Sequence, residues 1–344
     1  MSTAAVVGAG IGGLATAIAL RREGWDVTVL ERWPRIVELG TAIGLWPEAQ
    51  RALDRLGVGD RIQAVGVPYR EGCVRTRRGR RIADLPLKRI EKRGGAPVLM
   101  VPRTTLVTTL AAAVPDDVVR TGVDVTDPDR LRREFDVVIG ADGYRSAVRD
   151  AYFPDVRARY LGVVAIRGVV DGEFGPAGEV WGRGALVGVT PVARGRTNWY
   201  VALRAPAGTR PTVAELRARF ADYPDPVPAV LDAATDDGLL RHEIHDLGRG
   251  PRRYVHGTVA LVGDAAHAMA PSLGQGACQA LVDADCLAAQ LGAVSSSTGG
   301  RAGGVGPDTA RDVTTALQRY DRLRRRPTRR LARASRLVSR FQNT

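Results

Sequence analysis

Short apolar runs and a glycine-rich turn alternate over the first thirty residues. The apolar runs at 4–7 and 27–30 predict two buried strands, and the amphipathic stretch between them predicts a helix that ends near Arg22. Four glycines, at positions 8, 10, 12 and 13, stand where the first strand meets the helix. This order of strand, glycine turn, helix and strand is typical of a dinucleotide-binding unit.

The residues of this fingerprint have distinct expected roles. Gly8 permits the tight turn, Gly10 lets the backbone approach a pyrophosphate, and Gly13 lets the helix pack closely on the strand, with Gly12 counted in the same binding turn. Glu31 lies just past the second strand, about 20 residues after the glycine turn. At this position an acidic side chain can bind a ribose 2′-OH. The acid favours FAD or NAD over NADP. The alternative interpretation is a tight turn without a ligand.

A second glycine-rich segment lies some 250 residues downstream. The apolar, β-branched run 258–262 predicts a buried strand, and Asp264 places a carboxylate at its end, where it suits a polyol hydroxyl. A Pro/Gly-rich turn then opens a helix near Gln275. Its unpaired N–H groups and positive dipole end suit a ring that becomes anionic on reduction. The two segments together predict a divided flavin site.

The middle of the chain has a different pattern. Short strand-like pieces separated by Gly/Pro turns over 159–204 predict an antiparallel sheet, and 71–97 predicts an excursion from the nucleotide domain. The expected fold class is α/β, with a Rossmann-like FAD-binding domain, an inserted, mainly antiparallel β-sheet substrate domain and C-terminal helices. The expected boundaries are 1–70, 98–158 and 250–292 for the FAD-binding domain, 71–97 and 159–249 for the sheet domain, 293–308 for a flexible linker, and 309–344 for basic helices.

The formal net charge of +13 is concentrated near the C-terminus, because the segment from Arg301 onward contains 12 Arg and only 3 Asp. We interpret this segment as a solvated helix face above an apolar stripe of Leu323, Leu331, Val338 and Phe341. The alternative is a surface for anionic lipid, nucleic acid or an acidic partner. No apolar run reaches membrane-spanning length, so we expect a cytoplasmic protein with no transmembrane segment. The three cysteines have no metal-binding spacing, so we expect no metal. We further expect a monomer or homodimer and no nucleic-acid partner.

Three separated motifs resemble those of the single-component flavoprotein monooxygenases, the group of para-hydroxybenzoate hydroxylase. They are the Gly8-to-Glu31 fingerprint, Asp142-Gly143 followed by Arg145, Ser146 and Arg149, and Gly263-Asp264 with its glycine-rich helix start. The last motif is most similar to the subgroup that contains FAD-dependent urate hydroxylase, 3-hydroxybenzoate 6-hydroxylase and zeaxanthin epoxidase. The resemblance covers most of residues 1 to 290.

The resemblance implies bound FAD, NADH or NADPH as a transient cosubstrate, and O2. It implies a flavin C4a-hydroperoxide that hydroxylates or epoxidises a small aromatic, heteroaromatic or conjugated substrate. The cofactor-binding positions that it implies, together with those of the fingerprint, are Gly8, Gly10, Gly12, Gly13, Glu31, Arg32, Gly44, Arg103, Asp142, Gly143, Asp264, Gly274, Gln275, Gly276 and Ala277. The rival functions are a reductase of the geranylgeranyl-reductase kind and a flavin-containing binding protein with a basic docking tail.

Catalytic side chains are less legible, because the flavin carries the difficult step. His267 is either a base or, by the interpretation we favour, a residue that hydrogen-bonds the backbone beside the flavin loop. Arg167 and Arg204 are candidates to pair with a substrate carboxylate or phenolate, and Tyr200 is a further candidate. The expected substrate-pocket residues are Trp181, Trp199, Tyr200 and Pro271, although core packing is the alternative for each aromatic residue.

Overall fold

The protein is described by a computed structural model over residues 1–36, 40–295 and 307–342. Its strands in chain order are β1 (Thr3–Val7), β2 (Asp26–Glu31), β3 (Ala42–Leu45), β4 (Val67–Tyr69), β5 (Cys73–Thr76), β6 (Arg81–Asp84), β7 (Val98–Pro102), β8 (Val119–Thr121), β9 (Val137–Gly140), β10 (Arg159–Asp171), β11 (Gly178–Gly182), β12 (Ala185–Ala193), β13 (Arg196–Arg204), β14 (Leu240–Asp246), β15 (Val255–His256) and β16 (Val259–Leu261).

The helices complete the framework. In chain order they are α1 (Ile11–Arg22), α2 (Pro47–Arg55), α3 (Gly59–Val65), α4 (Leu87–Gly94), α5 (Arg103–Ala111), α6 (Pro128–Glu134), α7 (Ala147–Tyr152), α8 (Val213–Phe220), α9 (Val227–Asp232), α10 (Asp264–His267), α11 (Gly276–Ser295) and α12 (Pro307–Gln342). Short 3-10 turns span Asp116–Val118, Asp236–Gly238 and Pro271–Leu273.

The first sheet has six strands in the order β15-β16-β9-β1-β2-β8. All its neighbours pair in parallel except β15, which runs antiparallel to β16. Strands β9 and β16 are buried along their whole length, as expected for a parallel sheet covered on both faces. Because β2, β1, β9 and β16 run in the same direction, their carboxyl ends lie at one edge of the sheet.

The second sheet has seven strands in the order β14-β10-β13-β12-β11-β5-β6. It is antiparallel apart from the pair β11 and β5. One face packs on helices α8 and α9 in a core that includes Trp199 and Phe220. On the side of the third sheet, β12 contacts β4 and β7. The second face therefore lies toward the rest of the chain, where it can form one wall of a cleft.

The third sheet is small and was not expected. Strand β7 pairs antiparallel with both β3 and β4. The run 98–101, expected among the strands of the nucleotide domain, therefore belongs to a three-stranded sheet beside the parallel one. The reason is that β7 lies between two other short extended segments, β3 and β4, and pairs with each of them. This sheet positions Gly44 in β3 and places Arg103 directly after β7.

The C-terminal region differs from the sequence-based expectation in two respects. Helix α11 continues to Ser295, so the start of the expected linker is helical, while 296–306 lie outside the described residues. The basic segment forms one helix, α12, rather than several. Its buried face uses Val313, Leu317 and Tyr320, whereas Leu323 is 54% exposed. The expected apolar stripe is therefore wrong at Leu323, because the helix turns that position toward solvent; the Phe341 side chain is outside the described part.

None of the helices in 1–36, 40–295 and 307–342 has both the length and the apolar character that a bilayer crossing requires.

Candidate active site

The motifs predicted from the sequence meet at the carboxyl edge of the parallel sheet. Val7 pairs with Gly140 in β9, and Gly140 pairs with Leu261 in β16. On the other side, Val7 pairs with Leu30, one residue before Glu31. The glycine turn, the Asp142-Gly143 loop and the Gly263-Asp264 loop thus follow adjacent strands and start side by side.

The glycines of the first turn serve two different purposes. Gly8 has φ +101°, and a Cβ there would lie 2.7 Å from the Ala141 carbonyl oxygen. A Cβ on Gly13 would lie 1.8 Å from the Gly8 carbonyl oxygen, so close packing requires both glycines. A Cβ on Gly10, by contrast, would meet no protein atom within 4 Å. The protein itself needs Gly8 and Gly13, and Gly10 leaves space for something else at the start of α1.

Glu31 holds the glycine turn together. Its carboxylate accepts hydrogen bonds from the backbone N–H groups of Ala9 at 2.6 Å and Trp33 at 3.0 Å. A carboxylate has further lone pairs, so these bonds leave it able to accept from a ribose hydroxyl. The neighbouring Arg32 is exposed, and its guanidinium carbon lies 5.5 Å from the centre of the Trp33 ring. The ribose role of Glu31 and the cofactor-binding role of Arg32 stay predictions.

Asp264 faces a cleft. It is exposed, although its neighbours Gly263 and Ala265 are buried. Burial among surrounding protein atoms raises the pKa of its carboxyl group, while the charges of His267 and Arg103 act in the opposite direction. A group that water reaches but protein surrounds lines a deep groove. A Cβ on Gly276, the first residue of α11, would lie 3.9 Å from Asp264 Oδ1, so the start of this helix borders the same groove.

The turn before α11 leaves the groove open. Gly274 has φ +61°, is exposed, and has no atom within 4 Å of a Cβ position. Gln275 is buried and its side-chain oxygen accepts from Gln279 at 3.2 Å, while Ala277 is half-buried in the first turn of α11. Pro271, a predicted pocket residue, is exposed in the preceding 3-10 turn. This arrangement leaves the N–H groups at the start of α11 facing the groove.

The middle loop carries an unsatisfied polar atom. Asp142 Oδ2 accepts from the Val148 N–H at 3.2 Å, whereas Oδ1 is buried without a hydrogen-bond partner in the described part of the chain. Burial raises the pKa of this carboxyl group. Gly143 follows with φ +76° and open space at its Cβ position. A buried, unpartnered acceptor beside an open glycine is suited to a ligand that donates a hydrogen bond.

Arg103 and Gly44 complete the groove from the third sheet. The stem of Arg103 lies so close to Gly40 that a Cβ there would be 2.4 Å from Arg103 Cδ. Burial lowers the pKa of this guanidinium, and the charge of Asp264 opposes the shift, which places the two groups near each other. The Gly44 carbonyl accepts from Cys278 Sγ at 3.1 Å, which ties β3 to α11.

His267 points away from the groove into a buried ionic network. Its Nε2 lies 2.6 Å from Asp283 Oδ2, an atom that also accepts from the Gly263 N–H at 2.9 Å. Arg324 of α12 donates to the other Asp283 oxygen at 2.6 Å and to Gln279 at 2.6 Å. Burial alone would raise the pKa of Asp283, but the charges of His267 and Arg324 and their hydrogen bonds lower it. The expected backbone partner is thus wrong: His267 bonds a carboxylate through Nε2, and its Nδ1 is buried with no hydrogen-bond partner among the described residues.

The open face of the seven-stranded sheet carries a polar row. Register aligns Arg167 with Tyr200, Tyr200 with Gly188, and Gly188 with Glu179. Tyr200 donates to Glu179 Oε1 at 2.7 Å, and Trp181 Nε1 donates to Glu179 Oε2 at 2.6 Å. Burial raises the pKa of Tyr200, and the charge of Glu179 raises it further. Three predicted residues, Arg167, Tyr200 and Trp181, therefore share one face.

Two predicted residues do not belong to this row. Trp199 is fully buried in the core against α8 and α9, because alternation along β13 turns it to the opposite face from Tyr200. The prediction that it lines the pocket is wrong. Arg204 is the last residue of β13 and is exposed. Its position four residues beyond Tyr200 separates it from Arg167 by more than 10 Å, at about 3.4 Å per strand residue.

Sequence reasoning missed two residues of this wall. The His242 side chain of β14 is reached by water but lies among surrounding protein atoms. This desolvation, and then the charges of Arg167 and Arg103, lower its pKa to about 4. It therefore faces the same groove as those two arginines. Tyr69 of β4 is buried, and burial and then the charge of Glu179 raise its pKa. Leu240, His242 and Ile244 alternate along one strand, and this alternation is the sequence signal that places His242 on one face. The pattern does not identify β10 as the partner strand, so it cannot show that this face meets the groove.

The residues around the groove fit FAD. The open Gly10 and the start of α1 suit a pyrophosphate, Asp264 suits ribityl hydroxyls, and the start of α11 with open Gly274 suits the electron-rich edge of the ring. The unpartnered Asp142 oxygen supplies a further acceptor. The glycine-rich loops at the carboxyl edge of the parallel sheet, together with the antiparallel sheet that covers the groove, are the features of a flavoprotein oxidoreductase.

Comparison with known proteins agrees. The profile of the FAD binding domain family matches residues 1–132 and 123–304. The chain is 36% identical over 306 residues to aurachin C monooxygenase/isomerase of Stigmatella aurantiaca, covering 83% of this chain and 79% of the relative. It is 34% identical over 343 residues to FAD-dependent urate hydroxylase of Klebsiella pneumoniae, covering 92% and 84%.

A solved structure shows the same fold. The crystal structure of Klebsiella pneumoniae HpxO complexed with FAD and uric acid has a TM-score of 0.83 and 30% identity, and the match covers 99% of this chain and 89% of that one. The chain belongs to the FAD binding domain family and is an FAD-dependent monooxygenase of the aromatic-hydroxylase type.

Proposed function

We propose that the protein uses NAD(P)H and O2 to hydroxylate a small aromatic or heteroaromatic ring. The observation that carries the proposal is the polar row of Arg167, Tyr200 and Glu179 on one face of the seven-stranded sheet. The charge of Arg103 acts on both Arg167 and Asp264, which relates this face to the Asp264 groove. A planar ring between this wall and the cofactor site would meet polar groups on one side and the flavin on the other. When bound, FAD supplies the redox chemistry with NAD(P)H and O2.

The chain's own residues would orient the ring and keep water out. Tyr200 stands fixed by Glu179, since its hydroxyl donates to that carboxylate and its ring covers Gly188, where a Cβ would lie 2.0 Å from Tyr200 Cζ. Trp181 is fixed by the same carboxylate. Side chains held this firmly exclude water and hold a substrate in one orientation, which is the protein's main contribution in flavin oxygenation. Epoxidation of a conjugated substrate is the alternative outcome at the same wall.

A second concavity supports the use of NAD(P)H. A cavity of about 220 Å³ lies beside the Asp142-Gly143 loop. It is lined by Tyr144, Arg145, Arg149, Asp150, Arg157, Ala158 and His245, and within it Arg157 pairs with Asp150 at 3.0 Å. The Tyr144 and His245 rings stack with centroids 4.9 Å apart. Arg145, whose guanidinium carbon lies 5.3 Å from the centre of the Tyr144 ring, would offer a charge to the diphosphate, and the stacked pair would offer a surface for a flat ring of a pyridine nucleotide. Transient binding there would need no separate nucleotide domain.

The reaction has a defined stoichiometry that an experiment can test. Substrate, O2, NAD(P)H and H+ give hydroxylated product, water and NAD(P)+, so one O2 and one NAD(P)H disappear per product. We expect ring compounds from a panel of phenols, purines and polyketide-like aromatics to stimulate NAD(P)H oxidation, with mass detection of one added oxygen atom. Equal substrate turnover without air would overturn the proposal in favour of a reductase.

A further inference from the structure

A guanidinium that pairs with no carboxylate of the described residues lies on the open face of the seven-stranded sheet, the proposed substrate wall. Arg167 lies in the middle of β10, and burial lowers its pKa, with the charge of Arg103 acting in the same direction. Within the described residues, Arg167 forms no salt bridge, whereas the carboxylate nearest to it in the row, Glu179, already bonds Tyr200 and Trp181. Arg167 is half-buried, and a partly desolvated cation without an anion is costly. This position is therefore suited to receive an anion from a ligand.

His242 is the neighbour of Arg167 across the strand pair. Ala165 pairs with His242, and Arg167 pairs with Leu240. Arg167 and His242 are therefore diagonal neighbours on one face, with Cα atoms about 7–8 Å apart. At this separation a single small anionic group can contact both side chains. The juxtaposition of two cationic or ionisable groups on the wall, with no acid between them in the register, distinguishes this part of the cleft from the polar row.

We propose that Arg167 and His242 form an anion subsite that selects ring substrates bearing a negative charge, such as a carboxylate or an acidic ring oxygen or nitrogen. The inference rests on the proposed function and specifies its substrate class. It also distinguishes among the relatives of this chain, since urate hydroxylase and zeaxanthin epoxidase are named for an acidic and a non-acidic compound. Arg167 is the direct partner of the anion, and His242 responds to it.

The subsite has a pH signature. The charges that face the His242 ring are Arg167 from β10 and Arg103 from α5, and its own strand adds a backbone hydrogen bond at Arg241. These charges and burial keep the imidazole neutral at neutral pH. An anion on Arg167 cancels part of the repulsion, so the pKa of His242 rises when the anion binds. Binding then takes up a proton, and affinity for an anion increases as the pH is lowered from 7 toward 5.

The test uses matched acid and amide pairs with the FAD-loaded enzyme and no NAD(P)H. The probes are benzenesulfonate against benzenesulfonamide and benzoate against benzamide. Their binding is measured by the change that they cause in the flavin absorption spectrum. We expect each anion to bind about 10-fold or more tightly than its amide, in line with a charge-assisted hydrogen bond. Arg167→Gln is expected to remove the preference and Arg167→Lys to retain part of it.

Two further variants complete the design. His242→Asn should abolish the tightening of benzenesulfonate binding between pH 7 and 5, because the sulfonate stays ionised throughout. Arg183→Gln, at an exposed arginine in the turn between β11 and β12, is the matched control and should change neither result. FAD content and thermal unfolding of each variant check that the sheet is intact.

The outcomes separate this inference from the proposed function. Equal affinity for acid and amide, no binding of either anion, or an unchanged preference in Arg167→Gln would overturn the subsite. Selective anion binding without coupled oxygen uptake would support the subsite and contradict the monooxygenase reaction. The binding assay consumes neither NAD(P)H nor O2, so the two failures cannot be confused.

Discussion

The cofactor wall and the substrate wall of the groove are built differently. The cofactor wall consists of loops that follow β1, β9 and β16, and its important features are backbone shapes and open space at Gly10 and Gly274. The proposed substrate wall is the open face of the seven-stranded sheet, and its features are side chains such as Arg167 and Tyr200 that belong to different strands. The first wall is specified by local sequence, and the second by strand register.

The difference predicts unequal tolerance to substitution. A loop glycine can be replaced with loss of the ligand but not of the fold where its Cβ meets no protein atom. A residue of the antiparallel sheet affects either the core or the substrate, depending on the face that it occupies. The two faces of one sheet can therefore be distinguished by stability and binding measurements.

The largest expected effect is on stability and concerns Trp199. Trp199→Ala removes a fully buried side chain from the core against α8 and α9, and should lower the free energy of unfolding by about 3–5 kcal/mol. Trp181→Ala, on the opposite face, should cost less stability and weaken binding of ring ligands instead. Denaturant unfolding of both variants checks this; equal losses would contradict the assignment of the two faces.

The next effect concerns the contact of α12 with the cofactor wall. Arg324→Met leaves the buried Asp283 without one of its two ionic partners, so the free energy of unfolding should fall by about 3 kcal/mol. Because Asp283 also holds the Gly263 N–H next to Asp264, FAD affinity should fall about 10-fold. Arg322→Met, at an exposed site on the same helix, is the control.

FAD titration and chemical unfolding measure the two effects of Arg324→Met separately. Arg324→Lys should recover part of the affinity because it restores a positive charge. If Arg324→Met binds FAD as tightly as the wild type, the network stabilises the helix contact but has no influence on the position of the cofactor loop.

The smallest effect is a pH dependence at the end of β14. Burial acts to raise the pKa of Asp246, but its bonds to Arg159 at 2.7 Å and Arg336 at 2.6 Å prevail and lower it. The folded pKa is below the unfolded value of about 3.9, so this stabilisation is present above that pH and is lost as the pH falls through the folded pKa. The melting temperature should therefore fall on acidification below about pH 4.

Asp246→Asn should show a smaller acid-induced fall than the wild type, by about 2–4 °C. Asp171→Asn is the control, since the Asp171 side chain is 92% exposed in its pair with Arg196. Parallel pH series of thermal unfolding measure the difference. An identical acid slope for Asp246→Asn and the wild type would show that this carboxylate contributes nothing to acid sensitivity.

The two walls also differ in how far the sequence predicts them. Gly8, Gly13 and Asp264 were recognised because strand, turn and helix signals are local, and parallel strands bring the loops to one edge. The pairing of 98–101 with β3 and β4 was missed, since a short apolar run does not identify its partner strand. His242 was missed and Trp199 misplaced for the same reason: alternation gives two faces, but only the register shows which one meets the cofactor.

The central claim is that FAD occupies the groove between the amino-terminal glycine turn and the Asp264 loop. Gly10 has φ −76° and ψ −176°, which alanine adopts without strain, and no protein atom would clash with its Cβ. The direct test is FAD titration of Gly10→Ala apoprotein, with Gly238→Ala as the matched control at a glycine whose nearest neighbour is Thr235 Oγ1 at 3.8 Å. We predict about 100-fold weaker FAD binding for Gly10→Ala with an unchanged apoprotein melting temperature. Wild-type FAD affinity in Gly10→Ala would contradict the account.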